Sequence, residues 1–214
     1  MNHIDAIFFD LDGTLVDSRE DIVTAVNYTL KEAGVPEKSY EEIISYVGTG
    51  VKDLIVKSLG SGYELLVNRC VEIFTEYFRE HYADNSRLYP NVEEVLDFYK
   101  SKKMIVVTNR RTEMTEGTLK KLGIDQYFQK IVGGDNDDCL KPSACPIEKA
   151  LSEVVSADEK SLMVGDMDLD VLAGKKAGIY TCAVTYGIGD KEDLEKADPD
   201  YLIDDMIKLK DLID

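Results

Sequence analysis

The chain has no tryptophan, two histidines, five prolines and four cysteines in 214 residues. Each scarcity removes a class of chemistry. A Ser-His-Asp or Cys-His device would have to use His3 or His81, and neither has a nucleophile in a telling context. Cys70, Cys139, Cys145 and Cys182 show no CxxC spacing, so the reading is reduced thiols buried as small hydrophobes, not a zinc site or a disulfide frame. No apolar run approaches a membrane span, and Met1 to Asp5 lacks the charged start of a signal peptide, which together predict a cytoplasmic protein. Positive charge is also short: 25 basic residues stand against 42 acidic ones, a net charge of −17. That field repels nucleic acids and anionic membranes, leaving a small phosphorylated metabolite as partner where local cations offset it. Neither GxGxxG nor GxxxxGK[ST] follows the first apolar run.

What is present begins at that run. Ile4 and Ala6 to Phe9 read as a short strand buried on both faces, as in a parallel sheet, and Asp10-Leu-Asp12-Gly13-Thr14 follows it directly. Two acids and a threonine exceed what a turn requires. Glycine immediately after the second aspartate also breaks the EF-hand spacing. The pair therefore marks a site at the carboxyl end of a strand, where open α/β sheets bind ligands.

Downstream, Ser18 and Asp21 form a capping-box pattern ahead of a helix carrying Ile22, Val26 and Leu30, which stops at Gly34-Val-Pro36. Three more helical patterns follow, on Ile43-Ile44-Val47, on Val51 to Leu59 and on Leu66 to Phe78, with no convincing strand between Asp17 and Tyr82. From Tyr89 onward helix and strand alternate. Strands are expected at Lys103–Asn109, Tyr127–Gly134, Ser161–Val164, Tyr180–Thr185 and Tyr201–Ile203, which implies a parallel sheet. The predicted architecture is α/β: a Rossmann-like parallel core with helices on both faces, formed by residues 1–16 and 83–214, and a helical bundle inserted over 17–82.

Four elements recur in chain order: the acid pair Asp10/Asp12, a strand-end Thr108, Lys141-Pro142, and Gly165-Asp166 with Asp170 four residues on. In this order they resemble the motifs of the haloacid-dehalogenase-like hydrolases, with the helical insert in the place of that family's cap. If Asp10, Asp12, Asp166 and Asp170 converge, they must bind protons or a cation, and Lys141 alone cannot neutralise four of them. An oxygen-only set suits Mg²⁺.

The resemblance implies a phosphatase in which Asp10 is the nucleophile and Asp12 the general acid and base. Thr108 and Lys141 would complete the catalytic set, and Gly13, Thr14 and Asn109 would hold the phosphoryl group. Asp10, the backbone carbonyl of Asp12, and Asp166 would ligate the metal, with Asp170 ligating or orienting. The loop Val47-Gly48-Thr49-Gly50 with Lys52 and Lys57 is similar to the cap loop of phosphoglycolate phosphatases, so Gly48, Gly50, Lys52 and Lys57 are candidate substrate contacts, and 2-phosphoglycolate is a candidate substrate. Arg110 and Arg111 stand where relatives often have Lys-Pro; Arg110 is either a further substrate contact or half of a solvated pair at a helix start. Ser143-Ala-Cys-Pro146 replaces the usual Lys-Pro-x-Pro continuation. Two other readings fit the same residues: a β-phosphoglucomutase-like phosphotransferase, and a non-catalytic phosphate-binding module. A monomer and a homodimer are equally compatible with the sequence.

Overall fold

A computed structural model describes residues 3–214. Ala6–Phe9 form β1 and Val16–Asp17 form β2, followed by helices α1 (Arg19–Glu32), α2 (Tyr40–Ile44), α3 (Val51–Leu59) and α4 (Val67–His81). Strand β3 (Arg87–Leu88) leads into α5 (Val92–Phe98), β4 (Lys103–Val107), α6 (Thr112–Lys121), β5 (Lys130–Val132), α7 (Cys145–Val154), β6 (Ser161–Gly165), α8 (Asp168–Lys176), β7 (Tyr180–Val184), α9 (Lys191–Ala197), β8 (Tyr201–Ile203) and α10 (Leu209–Leu212).

The main sheet is parallel with order β5-β4-β1-β6-β7-β8, placing β1 between β4 and β6. The chain winds from β1 through β4 to β5 on one side and then crosses to β6, β7 and β8 on the other, so the carboxyl end of β1 is a topological switch point. Alternation along β1 divides the core. Ile7 and Phe9 pack with Val95, Leu96 and Tyr99 on one face, whereas Ala6 and Phe8 pack with Ile147, Ala150 and Ala173 on the other.

Helices α1 to α4 bury a separate apolar cluster containing Ile22, Val26, Leu30, Ile43, Ile55, Phe74 and Phe78, joined by Met114 of α6. The chain enters and leaves this unit through a feature the sequence does not announce. β2 and β3 form a two-stranded antiparallel ribbon, pairing Val16 with Leu88 and Asp17 with Arg87. Asp17 accepts from Arg19 Nε at 2.8 Å and from Arg87 at 3.1 Å. Two-residue strands are too short to carry a period-two signal.

Two expectations are corrected here. Ser18 does precede α1, yet its hydroxyl caps no helical amide and donates instead to Asp12. Asp21 likewise turns away, accepting from Asn85 N at 2.9 Å and Ser86 Oγ at 2.6 Å, and so ties the two crossings together. At φ −109° and ψ 7° Ser18 lacks the extended backbone of a capping residue, and its hydroxyl is left free to donate to the carboxylate. The full capping box lies at Ser39 and Glu42, ahead of α2. Cysteine usage also differs: Cys139 and Cys145 form a disulfide with Cα atoms 5.3 Å apart, while Cys70 and Cys182 are buried thiols as expected. Five residues of turning loop bring the paired cysteines together, and no spacing rule marks that geometry in advance. Among the described residues, no helix is long and apolar enough to cross a membrane.

Candidate active site

Asp10 leaves the end of β1 and is buried with a few per cent of its surface exposed. Lys141, brought up by the loop before α7, donates from Nζ to Asp10 Oδ1 and to Asp170 Oδ1, both at 2.6 Å, and to the Val107 carbonyl at 2.8 Å. Burial works against its ammonium, but the carboxylates of Asp10 and Asp170 outweigh that and raise its pKa above the ordinary lysine value. Asp170, in the first turn of α8, uses its other oxygen to accept from Met167 N at 3.0 Å.

Asp166 follows β6 and is fully buried. Its Oδ1 accepts from Thr14 Oγ1 at 2.9 Å, and its Oδ2 accepts from Ile188 N at 2.7 Å. Gly13 is required beneath it: φ is +89°, and a Cβ there would lie 2.1 Å from Asp166 Oδ2. Oxygens of Asp10, Asp166 and Asp170 all lie within 4.8 Å of one another. Burial, opposed by Lys141 and reinforced by Asp170, pushes the Asp10 carboxyl up to about 6. Burial and the charges of Asp10 and Asp170 push Asp166 up to about 8. Three buried carboxyls, two of them on one ammonium, form a hard-oxygen donor set that fits a cation.

Asp12 stands apart from that cluster, which corrects the expectation of four converging acids. Its carboxylate accepts from Arg110 Nε at 3.0 Å and Nη2 at 2.5 Å, and from the Ser18 hydroxyl. Burial raises the Asp12 pKa and outweighs the opposing Arg110 guanidinium. Arg110 is therefore no solvated helix-start residue. It is buried, donates to Thr118 Oγ1 at 3.0 Å and lies 4.9 Å from the centre of the Phe78 ring.

Thr108, at the end of β4, is buried beside the same cleft and accepts from Arg110 N at 3.1 Å. Asn109 is a clamp: Nδ2 donates to the carbonyls of Gly48 and Lys141 at 2.8 and 2.9 Å, and Oδ1 accepts from Lys141 N at 2.8 Å. A cleft of about 640 Å³, counted with its open mouth, lies between the helical unit and the sheet edge, with Asp10, Asp12, Thr108, Lys141, Gly48 and Gly50 in its walls. Lys52 and Lys57 are not in those walls. Both are exposed, and Lys57 pairs with Asp53 at 2.6 Å.

The sequence reading did not assign Ser18, Thr118 or Phe78 a place at the site. An arginine directly after a strand-end Thr-Asn at the same rim was a usable signal for the Arg110–Asp12 pair; Ser18 offered none, because it reads as a cap.

The family model of the haloacid dehalogenase-like hydrolases matches residues 7–184, the span that carries Asp10, Asp12, Thr108, Lys141, Asp166 and Asp170. The chain belongs to the haloacid dehalogenase-like hydrolases. Within this family it is a phosphoric monoester hydrolase. It is similar to the phosphoglycolate phosphatase of Aquifex aeolicus, 38% identical with 96% of each chain covered. The phosphoglycolate phosphatase of Haemophilus influenzae is 33% identical, with 97% of each chain covered. Among solved structures, a predicted phosphoglycolate phosphatase from Haemophilus somnus superposes with a TM-score of 0.91 at 29% identity, covering 99% of both chains. The fold expectation, a parallel α/β core of this family, is thereby met.

Proposed function

We propose that this hydrolase cleaves a small phosphate monoester through an aspartyl phosphate formed on Asp10, with the helical unit of residues 17–82 acting as a cap and 2-phosphoglycolate as the substrate. The observation that carries the reading is Lys141 bridging Asp10 and Asp170 beside Asp166 at the switch point of the sheet. A carboxylate needs no neighbouring base to attack phosphorus. Asp10 forms the new P–O bond in line as the ester P–O bond breaks, and Asp12 gives its proton to the departing alkoxide. Asp12 then takes a proton from the water that attacks the aspartyl phosphate, which returns Asp10 and releases inorganic phosphate.

Arg110 and Ser18 aim the Asp12 carboxyl in both half-reactions. Thr108 and the amides directly after Asp10 hold phosphoryl oxygens, the Gly13 and Thr14 N–H groups being spent on the Val16 and Leu11 carbonyls, and Lys141 offsets charge on the nucleophile and on the equatorial oxygens. Asp10, Asp166 and the Asp12 carbonyl would hold Mg²⁺, with Asp170 orienting Lys141 and Met167 from behind. Bound there, the ion would shield the anionic phosphate from Asp10 and neutralise developing charge. Asn109 contributes by placement: it joins the Gly48 loop of the cap to the lysine loop of the core.

The test is phosphate release from a panel of monoesters that includes 2-phosphoglycolate, with Mg²⁺ and with EDTA, together with acid-quenched mass analysis of the peptide bearing Asp10. Mg²⁺-dependent release and a phosphorylated Asp10 peptide are expected. Turnover in EDTA, or a phosphate-free peptide during turnover, would overturn the mechanism.

A further inference from the structure

Cations in the cleft are few and mostly committed. Lys141 is shared between Asp10 and Asp170, and Arg110 is held by both oxygens of Asp12. The cap lysines do not reach in: Lys57 is paired with Asp53 on the outer surface, and Lys52 is absent from the walls. The cap side of the cleft is apolar, built from Ile22, Leu54, Phe74 and Phe78. Arg111 is the exception. It lines the cleft, it is exposed, and its guanidinium has no hydrogen-bond or ion-pair partner among the described residues, although acidic side chains outnumber basic ones in this chain by 42 to 25.

We propose that Arg111 is the receptor for the anionic end of the leaving group, so that the site selects phosphate monoesters carrying a carboxylate a short distance from the ester oxygen. This rests on the phosphatase reading above and deepens it. Two physical facts support the assignment. An arginine fork matches a carboxylate with two parallel donors, and it is desolvated more easily than an ammonium. A carboxylate entering this cleft would otherwise meet apolar cap walls, where an unpaired charge is costly. Arg111 also sits two residues beyond Asn109 and one beyond Arg110, at the start of α6. The core rim that fixes the phosphoryl group therefore also carries the group that reads the other end of the ester, and the distance between the two is set by one strand-to-helix turn rather than by cap position.

The experiment compares kcat/KM for 2-phosphoglycolate and ethyl phosphate, near-isosteric esters with and without the carboxylate, in the wild type and in Arg111→Ala, Arg111→Lys, Lys52→Ala and Lys57→Ala. The wild type should prefer phosphoglycolate, and Arg111→Ala should lower that preference about tenfold or more, the loss falling in KM, as expected for one charge-assisted bidentate contact. Arg111→Lys should recover part of it. An unchanged ratio in Arg111→Ala, or a collapse in Lys52→Ala or Lys57→Ala in place of it, overturns the assignment while leaving the phosphatase reading intact. A wild type that hydrolyses neither ester, yet releases phosphate from other monoesters, overturns 2-phosphoglycolate as the substrate and this assignment with it.

Discussion

Asn109 and Lys141 form a reciprocal amide pair: the Asn109 carboxamide donates to the Lys141 carbonyl at 2.9 Å and accepts from the Lys141 amide at 2.8 Å. A side chain thus does for the lysine loop what a neighbouring strand does within a sheet, and it fixes where the buried ammonium emerges. Asn109→Ala leaves both backbone groups of Lys141 without this partner and frees the Gly48 carbonyl. Unsatisfied buried polar groups cost about 1–3 kcal/mol each. The variant should melt several degrees lower, and its kcat should fall about tenfold or more because Lys141 is no longer aimed. Calorimetry and steady-state rates test this; wild-type kcat at reduced stability would show that the clamp is structural only.

Asp10→Asn keeps the size of the side chain and removes the proposed nucleophile. Phosphatase activity should vanish while circular dichroism is unchanged, since Lys141 retains Asp170 at 2.6 Å. Turnover within tenfold of wild type would refute the assignment of Asp10 (a tenfold rate change is about 1.4 kcal/mol of barrier).

Metal and pH are linked through the two raised carboxyls. Asp10 at about 6 and Asp166 at about 8 bind protons in the folded chain at pH values where the unfolded chain has released them. Because the folded state holds the extra protons, stability of the metal-free protein falls as pH rises from the ordinary carboxylate range through about 6 and then about 8. A cation at these oxygens replaces the protons. Mg²⁺ should therefore raise the melting temperature more at pH 8 than at pH 5, relative to EDTA at each pH. Equal increments would contradict the linkage.

The disulfide encloses Lys141 between Cys139 and Cys145. Closing so short a loop constrains the unfolded chain by about 2 kcal/mol on the chain-entropy account. Thiol titration of the denatured, unreduced protein should count two free thiols, from Cys70 and Cys182. Cys139→Ser/Cys145→Ser should lower stability by roughly that amount, measured by urea unfolding. Four titratable thiols in the protein as purified would show that the bridge does not form.

Arg110→Lys tests the aim of Asp12. A lysine keeps the charge but cannot contact both carboxylate oxygens in the plane, nor lie flat on Phe78. We expect kcat to fall with little change in KM, and more steeply for esters with poor leaving groups, because those depend most on the proton from Asp12. A uniform loss across leaving groups would assign Arg110 a purely structural role.

Sequence alone determined the sheet, the order of its strands along the chain and the groups at their ends, because buried parallel strands are unmistakable apolar runs and the acids follow them without a gap. Ala6–Phe9 followed by Asp10, and Ser161–Val164 followed by Gly165-Asp166, needed no third dimension to be read. Partner choice among the side chains was decided only by tertiary structure. Arg110 reads as a substrate contact or as half of a solvated pair until Asp12 and Phe78 close over it, and Asp21 reads as part of a helix cap until Asn85 and Ser86 lie within reach. The physical reason is range. Burial patterns are written in neighbouring residues, whereas the partner of a charged or hydroxyl group is whichever one the fold delivers to it, here 98 positions away for Asp12 and Arg110 and 131 for Asp10 and Lys141.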